Sequence, residues 1–280
     1  MPQRRQVLTP PSHRWPVTLP LSSDDARAAT SRRHGRWPPD RADRSTRDDR
    51  HRADRDLRGE LPDRLIAVLP PDTAHAWVTL APLLPPSAYL AGGTAIAAHL
   101  SHRTSRDLDF FLAHPDDLEA LHHTLSEVGP WDASTVRHDT LNGVFGSTKV
   151  QFLEAAEEEN VGEPRTIAGI RVASLPDLLA CKLNALVTRA PAALRDYFDL
   201  KAIEERAPLR VEEGLGIFVR RFRPISPRSS LVHIVRALGD MGDVEDDNLL
   251  ARGAFAEVES YWRRRQPELM RHLERMAFEG

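Results

Sequence analysis

Cysteine is almost missing from this chain: 280 residues contain one, Cys181. That excludes an internal disulfide and a cysteine-rich zinc site, and it fits a reducing, cytoplasmic compartment. Long apolar runs are missing as well. No stretch approaches the roughly 18 apolar residues needed to cross a bilayer, and the N-terminus lacks the apolar h-region of a secretory signal. A membrane role is not expected. Excess charge is also small, since a net charge of -3 does not mark the whole chain as a nucleic-acid binder. What is present, 41% hydrophobic residues, suffices for a core of one or two packed lobes. Cys181 falls among leucines in a predicted helix, where a small core residue is expected.

The first sixty residues are a different polymer from the rest. Residues 31–59 carry ten arginines and six aspartates, with Pro38 and Pro39 and hardly an apolar side chain beyond Trp37 and Leu57. Such a segment cannot bury enough surface to offset its ordering entropy. Residues 1–60 are therefore predicted to be a disordered Arg/Asp-rich spacer, whose basic field for RNA is diluted by the interleaved acids.

The remainder parses into a palm-like α+β (α/β) lobe over 61–173 and a mainly helical lobe over 174–280. An apolar helix is predicted within 61–80 and ends at the prolines of 82–86; a core strand begins at 88–91. Residues 116–128, with leucines at 118, 121 and 125, read as an amphipathic helix. Residues 136–154 alternate around Gly143 and Gly146-Ser147 and predict a hairpin. These elements give a small mixed sheet with flanking helices. Residues 231–238 and 255–276 are helical patterns in the second lobe.

Three segments carry chemistry. In the first, residues 90–113, Gly92 and Gly93 end an apolar run and allow close backbone approach, and Thr94 is placed to cap the helix that follows. Free N–H groups at such a helix start suit a phosphate. Asp107 and Asp109 then lie two apart on a strand and share one face. Like charges so placed repel unless a cation compensates them, and Mg²⁺ takes one or two carboxylates together with substrate phosphate oxygens. In the second segment, Ser174 and Asp177 read as a capping box. Lys182 then lies one turn from Leu178 and Leu186, on an apolar flank, where a lysine either snorkels outward or meets a buried anion such as a triphosphate. Arg189 falls seven residues later on the same face. In the third, Arg195 and Asp199 are four apart on one helical face, with Asp196 on the adjacent flank. Such a pair either locks two helices or serves the site.

The segments GGTAIAAHL…HRTSRDLDFF, SLPDLLACKLNALVTR at 174–189 and LRDYFDLKAIEE at 194–205 resemble the AbiEii/AbiGii toxin family of nucleotidyltransferases, within the superfamily that shares the DNA polymerase β palm. The resemblance runs over about 61–277. It implies transfer of a nucleoside monophosphate from an NTP to a hydroxyl, on RNA such as the tRNA acceptor end, by the toxic half of a toxin–antitoxin pair with a winged-helix antitoxin encoded nearby. It further implies Asp107 and Asp109 as ligands of Mg²⁺ (or Mn²⁺), and Lys182, Asp196 and Asp199 as catalytic, Asp199 being favoured to orient Lys182 or the attacking hydroxyl. Gly92, Gly93, Thr94, Arg106, Lys182 and Arg189 would bind the nucleotide. The third carboxylate common in the superfamily is replaced by Gln151, with Glu154 the nearest acid. That departure keeps open a catalytically lapsed nucleotide- or partner-binding module; an antibiotic-modifying nucleotidyltransferase is the other alternative. Glu157, Glu158 and Glu159 read as a solvated run. The cluster Arg263, Arg264, Arg265 and Arg271 reads as the solvated face of an amphipathic helix, or as a contact for RNA phosphates.

Overall fold

The apolar segment 61–80 forms two helices rather than one, Asp63–Ile66 (α1) and Pro71–Leu80 (α2), followed by a 3₁₀ turn, Ala81–Leu83. Pro70 lacks the N–H that would continue α1, while Pro71 is well suited to the first turn of α2. The structure, a computed structural model, describes residues 60–276 apart from 115, 156, 157, 159 and 190; all of these lie within one unit, 36–280. The predicted disordered spacer, save Glu60, lies outside the described residues.

Tyr89–Ala91 (β1) runs without a linker into Gly92–Leu100 (α3), a turn made at Gly92 with φ +68°. Leu108–Leu112 (β2) follows, then Asp116–Val128 (α4), with the bounds its leucine spacing predicts. Next come Trp131–Val136 (β3), Thr140–Phe145 (β4) and Thr148–Glu154 (β5). The hairpin turns at Gly146, φ +64°, as its sequence suggests, whereas Gly143 lies inside β4 against Trp131. Arg165–Ile167 (β6) and Ile170–Val172 (β7) complete a seven-stranded sheet in the order β3-β4-β5-β2-β1-β7-β6. β2 is antiparallel to β1 and parallel to β5. One face is apolar: Leu108, Phe110, Leu112, Val150 and Phe152 are buried, and Phe110 stacks on Phe152 with centroids 5.2 Å apart.

From residue 175 the chain is helical, through Leu175–Thr188 (α5), Leu194–Arg206 (α6), Val211–Phe222 (α7), Pro227–Gly239 (α8) and Ala254–Met276 (α9). α5 packs against α6, α7 and α8, and α9 lies along α8 and α6. Trp262 on α9 is fully buried and donates its indole N–H to the Tyr197 carbonyl of α6, 3.0 Å away. α3 touches both α5 and α6. The glycine turn of the sheet is thereby brought against the helices that carry Lys182 and Asp199. No helix among the described residues is long and apolar enough to cross a membrane.

Candidate active site

Along β2 every second side chain is buried, which leaves Asp109 and Phe111 on the more open face. Asp107, two residues before Asp109, belongs to that face. Asp109 stands in register with Gln151 of β5 and Ala91 of β1. A Cβ on Gly92 would overlap the Asp109 carboxylate, so position 92 needs glycine both for its positive φ and for this close approach. Burial pushes the Asp109 carboxyl up to about 6, Asp107 adds to the rise, and Lys182, Arg189 and Lys149 offset part of it. Neither Asp107 nor Asp109 has an ion-pair partner among the described residues. Two adjacent carboxylates without a cation of their own, open to further oxygen ligands, fit a Mg²⁺ ion shared with phosphate.

Gln151 occupies the place beside Asp109, as its position in the sequence suggests. Glu154 pairs with Leu112, three residues further along, and so falls on the opposite face from Asp109. It is not a third acid of this site. Among the described residues, no group of three or more His, Cys, Asp or Glu is arranged to hold a metal.

The expected cap is replaced by another arrangement. α3 begins at Gly92 with Ala91 preceding it, and no side chain caps its N–H groups. Thr94 is the third helical residue and is buried; its hydroxyl donates to the Asp107 carbonyl at 2.5 Å and lies 2.8 Å from Ser105 Oγ. Thr94 therefore ties the helix start to the acidic strand and leaves the first backbone N–H groups free for an anion. Arg106 is exposed.

Lys182 does not snorkel. It is 8% exposed, with Nζ 2.7 Å from Asp196 Oδ1 and 2.8 Å from Asp199 Oδ2. Arg189, at the end of α5, reaches Asp196 Oδ2 at 3.2 Å. Asp199 is fully buried and also accepts from Arg103 Nε at 2.6 Å, Arg103 Nη2 at 2.9 Å and His102 Nε2 at 2.7 Å. Burial alone would raise the Asp199 carboxyl; Lys182 and Arg103 hold it far below the usual carboxylate range. The same two acids, Asp196 and Asp199, outweigh burial at Lys182 and raise its pKa. His102 is held below its ordinary value by burial, and neutral imidazole donating from Nε2 suits the carboxylate.

The sequence reading missed His102 and Arg103. The only signal was their place in the first motif, beside the residues it singled out. A Cβ on Gly93 would overlap the Arg103 guanidinium, so Arg103 bridges the glycine turn and Asp199. Arg195 does not pair with Asp199; its Nε lies 2.6 Å from Asp247 Oδ2. The distance from Asp199 is set by the helix face: Asp199 turns inward to Lys182 while Arg195 turns toward the loop that carries Asp247.

Other expectations change through burial. Ser174 caps α5 by accepting from Asp177 N–H at 3.3 Å, but Asp177 does not complete the box. Its carboxylate accepts from Val161 and Gly162 N–H at 2.9 and 3.0 Å, and from Arg221 at 2.9 Å. Arg221, fully buried on α7, also binds Glu158 at 2.7 Å and Tyr89 Oη at 2.9 Å. Glu158 is thus no solvated residue; Glu157 and Glu159 lie outside the described residues. On α9, Arg265 is neutralised by Glu204, Glu212 and Glu268, and Arg263 by Glu259. Cys181 is partly buried, and burial pushes its thiol up to about 12.

The family described as "Nucleotidyl transferase AbiEii toxin, Type IV TA system" matches residues 79–140 and 140–279. The chain belongs to the AbiEii family. This AbiEii protein is accordingly a nucleotidyltransferase, and its mixed sheet with flanking and C-terminal helices is the fold in which the site is built. Among solved structures it is similar to JHP933 from Helicobacter pylori, with 18% identity over 79% of this chain and 100% of that one, TM-score 0.46. It is also similar to MenT4, a nucleotidyltransferase toxin from Mycobacterium tuberculosis H37Rv, with 18% identity over 80% of this chain and 98% of that one, TM-score 0.45. No curated protein matches the chain.

Proposed function

We propose that this AbiEii nucleotidyltransferase is Mg²⁺-dependent, takes an NTP as donor and RNA, such as the tRNA acceptor end, as acceptor, and acts as a toxin restrained by a winged-helix antitoxin. The observation that carries the reading is the convergence of the Asp107–Asp109 face, the Gly92 turn and the Lys182 ammonium, whose charge reaches Asp109. Asp107 and Asp109 would hold the metal, which would supply charge stabilisation on the transferring phosphoryl group. Residues 61–173 then act as the catalytic lobe, and 174–280 as the lobe that completes the nucleotide site.

The acceptor hydroxyl oxygen forms a bond to the α-phosphorus, the bond from that phosphorus to the β-phosphate bridge breaks, and pyrophosphate leaves while the hydroxyl proton is released. Free N–H groups at the start of α3 would bind phosphate oxygens. An ammonium has three donors. Lys182 donates one to Asp196 and is ion-paired with Asp199, and a remaining N–H would meet the triphosphate, with Arg189 beside it. Asp199 already accepts three hydrogen bonds, one from His102 and two from Arg103, and is ion-paired with Lys182 at 2.8 Å, which leaves little of a carboxylate's acceptor capacity. Its role is therefore to position Lys182 and Arg103 rather than to take the hydroxyl proton.

Gln151 in the row of Asp109 favours one second reading, a module that binds nucleotide without transferring it. Incubating the protein with each α-labelled NTP, Mg²⁺ and total RNA separates the two. Label on RNA with at least one nucleotide is expected; nucleotide binding without transfer to any acceptor would favour the second reading.

A further inference from the structure

A small, partly open recess lies beside the acidic strand, lined by Arg103, Thr104, Ser105, Arg106, Arg195 and Leu249. Three of the six residues are arginines and none is an acid. Arg103 is neutralised from behind by Asp199, and Arg195 by Asp247. Arg106 is exposed; its carbonyl accepts from the Thr73 hydroxyl at 3.0 Å, while its guanidinium has no partner among the described residues. The recess therefore carries an excess positive charge that the fold does not compensate. Its donors are also partly unspent. A guanidinium has five N–H groups; Arg103 uses one on each of Nε and Nη2 toward Asp199 and one on Nη1 toward the Thr104 carbonyl, 3.0 Å away. Arg195 Nε is close to Asp247 but not aligned with it as a hydrogen bond. The Thr104 hydroxyl has no partner among the described residues either.

We propose that this recess is a phosphate-binding subsite, distinct from the Gly92–Gly93 turn. Three arginines lining one recess, with N–H groups left over, suit a tetrahedral oxyanion, since Arg offers paired N–H groups matched to phosphate. The phosphate comes either from the donor triphosphate or from the sugar–phosphate backbone of the acceptor. The recess is bounded by the residues that lead into Asp107 and by the start of α6, so either strand of substrate would reach it from the active site. The proposal rests on the nucleotidyl-transfer reading only for the identity of these two sources.

Arg106→Gln and the double variant Arg106→Gln/Arg195→Gln test it in the full chain, with inorganic triphosphate plus Mg²⁺ as one probe and a short oligouridylate as the other. The Arg106 guanidinium holds nothing in the fold and its carbonyl contact to Thr73 survives substitution, so Arg106→Gln is expected to leave the melting temperature unchanged and to weaken one probe about three- to tenfold, the double variant more. Loss of triphosphate affinity assigns the subsite to the donor. Loss of oligonucleotide affinity, with a salt dependence shallower by about one, assigns it to the acceptor. Unchanged affinity for both probes in the double variant overturns the subsite. Label transfer by the wild-type protein is measured alongside. If transfer occurs and the double variant binds both probes normally, the subsite alone falls; if no transfer occurs and phosphate binding is still weakened, the subsite stands and the nucleotidyl-transfer reading falls.

Discussion

Asp109 ties the stability of the fold to pH. Its carboxyl titrates near 6 in the fold because burial and Asp107 disfavour the anion, whereas an unfolded aspartate titrates near 3.9. Below about pH 4 both states are protonated and the group costs nothing. Between about pH 4 and 6 the unfolded state is the more ionised and stability falls as pH rises, levelling off above 6 once the folded carboxyl has ionised as well. In metal-free buffer Asp109→Asn is expected to melt higher than wild type at pH 8, with the difference closing near pH 4. Melting curves across that range check it, and a difference independent of pH would contradict it. Lys182 makes the opposite prediction. Removing one partner of a buried ion pair costs about 3–5 kcal/mol, but Asp196 keeps Arg189 and Asp199 keeps Arg103. Lys182→Met is expected to lose about 3 kcal/mol of stability and, well below its melting temperature, to bind nucleotide roughly ten- to hundredfold more weakly. A lysine that serves only the fold would lower the melting temperature and leave the nucleotide dissociation constant unchanged.

Buried charge joins elements at several places, two of them among the described residues being built around arginines. Arg103 and His102, from the loop after α3, clamp Asp199 on α6; Arg221 on α7 gathers Asp177 of α5, Glu158 and the Tyr89 hydroxyl of β1. Arg221 is fully buried and has no role toward substrate in this account, so Arg221→Met should act on stability first. A loss of about 3–5 kcal/mol is expected, with nucleotide affinity retained in the folded fraction; denaturant titration and nucleotide binding measured together check it. The sequence made the first motif legible because its parts are close together: a glycine pair, a helix and a strand with acids two apart fix their own geometry. The leucine spacing of α4 and the turn at Gly146 were legible for the same local reason. β3 was not, since it is an edge strand whose residues are all half-buried or exposed and lacks the apolar alternation of a core strand. β6 and β7 are three residues each, too short for a period to register. The partners of Asp199 were hidden by separation: His102 and Arg103 lie 97 and 96 residues away, and the neighbour four residues off, Arg195, turns elsewhere.

For the whole molecule, the sheet supplies acids and a glycine turn, the helices supply a lysine held between two carboxylates, and α3 joins them. Under the proposed function, Asp107 and Asp109 serve chemistry and not the fold. Their carboxylates have no ion-pair partner among the described residues and repel one another, so removing either should not destabilise the protein. The most direct measurement is the rate of label transfer from NTP to RNA by Asp107→Ala and Asp109→Ala, taken together with their melting temperatures. Transfer is expected to be abolished in both while the melting temperature stays level or rises, and full transfer activity in either variant would contradict the account.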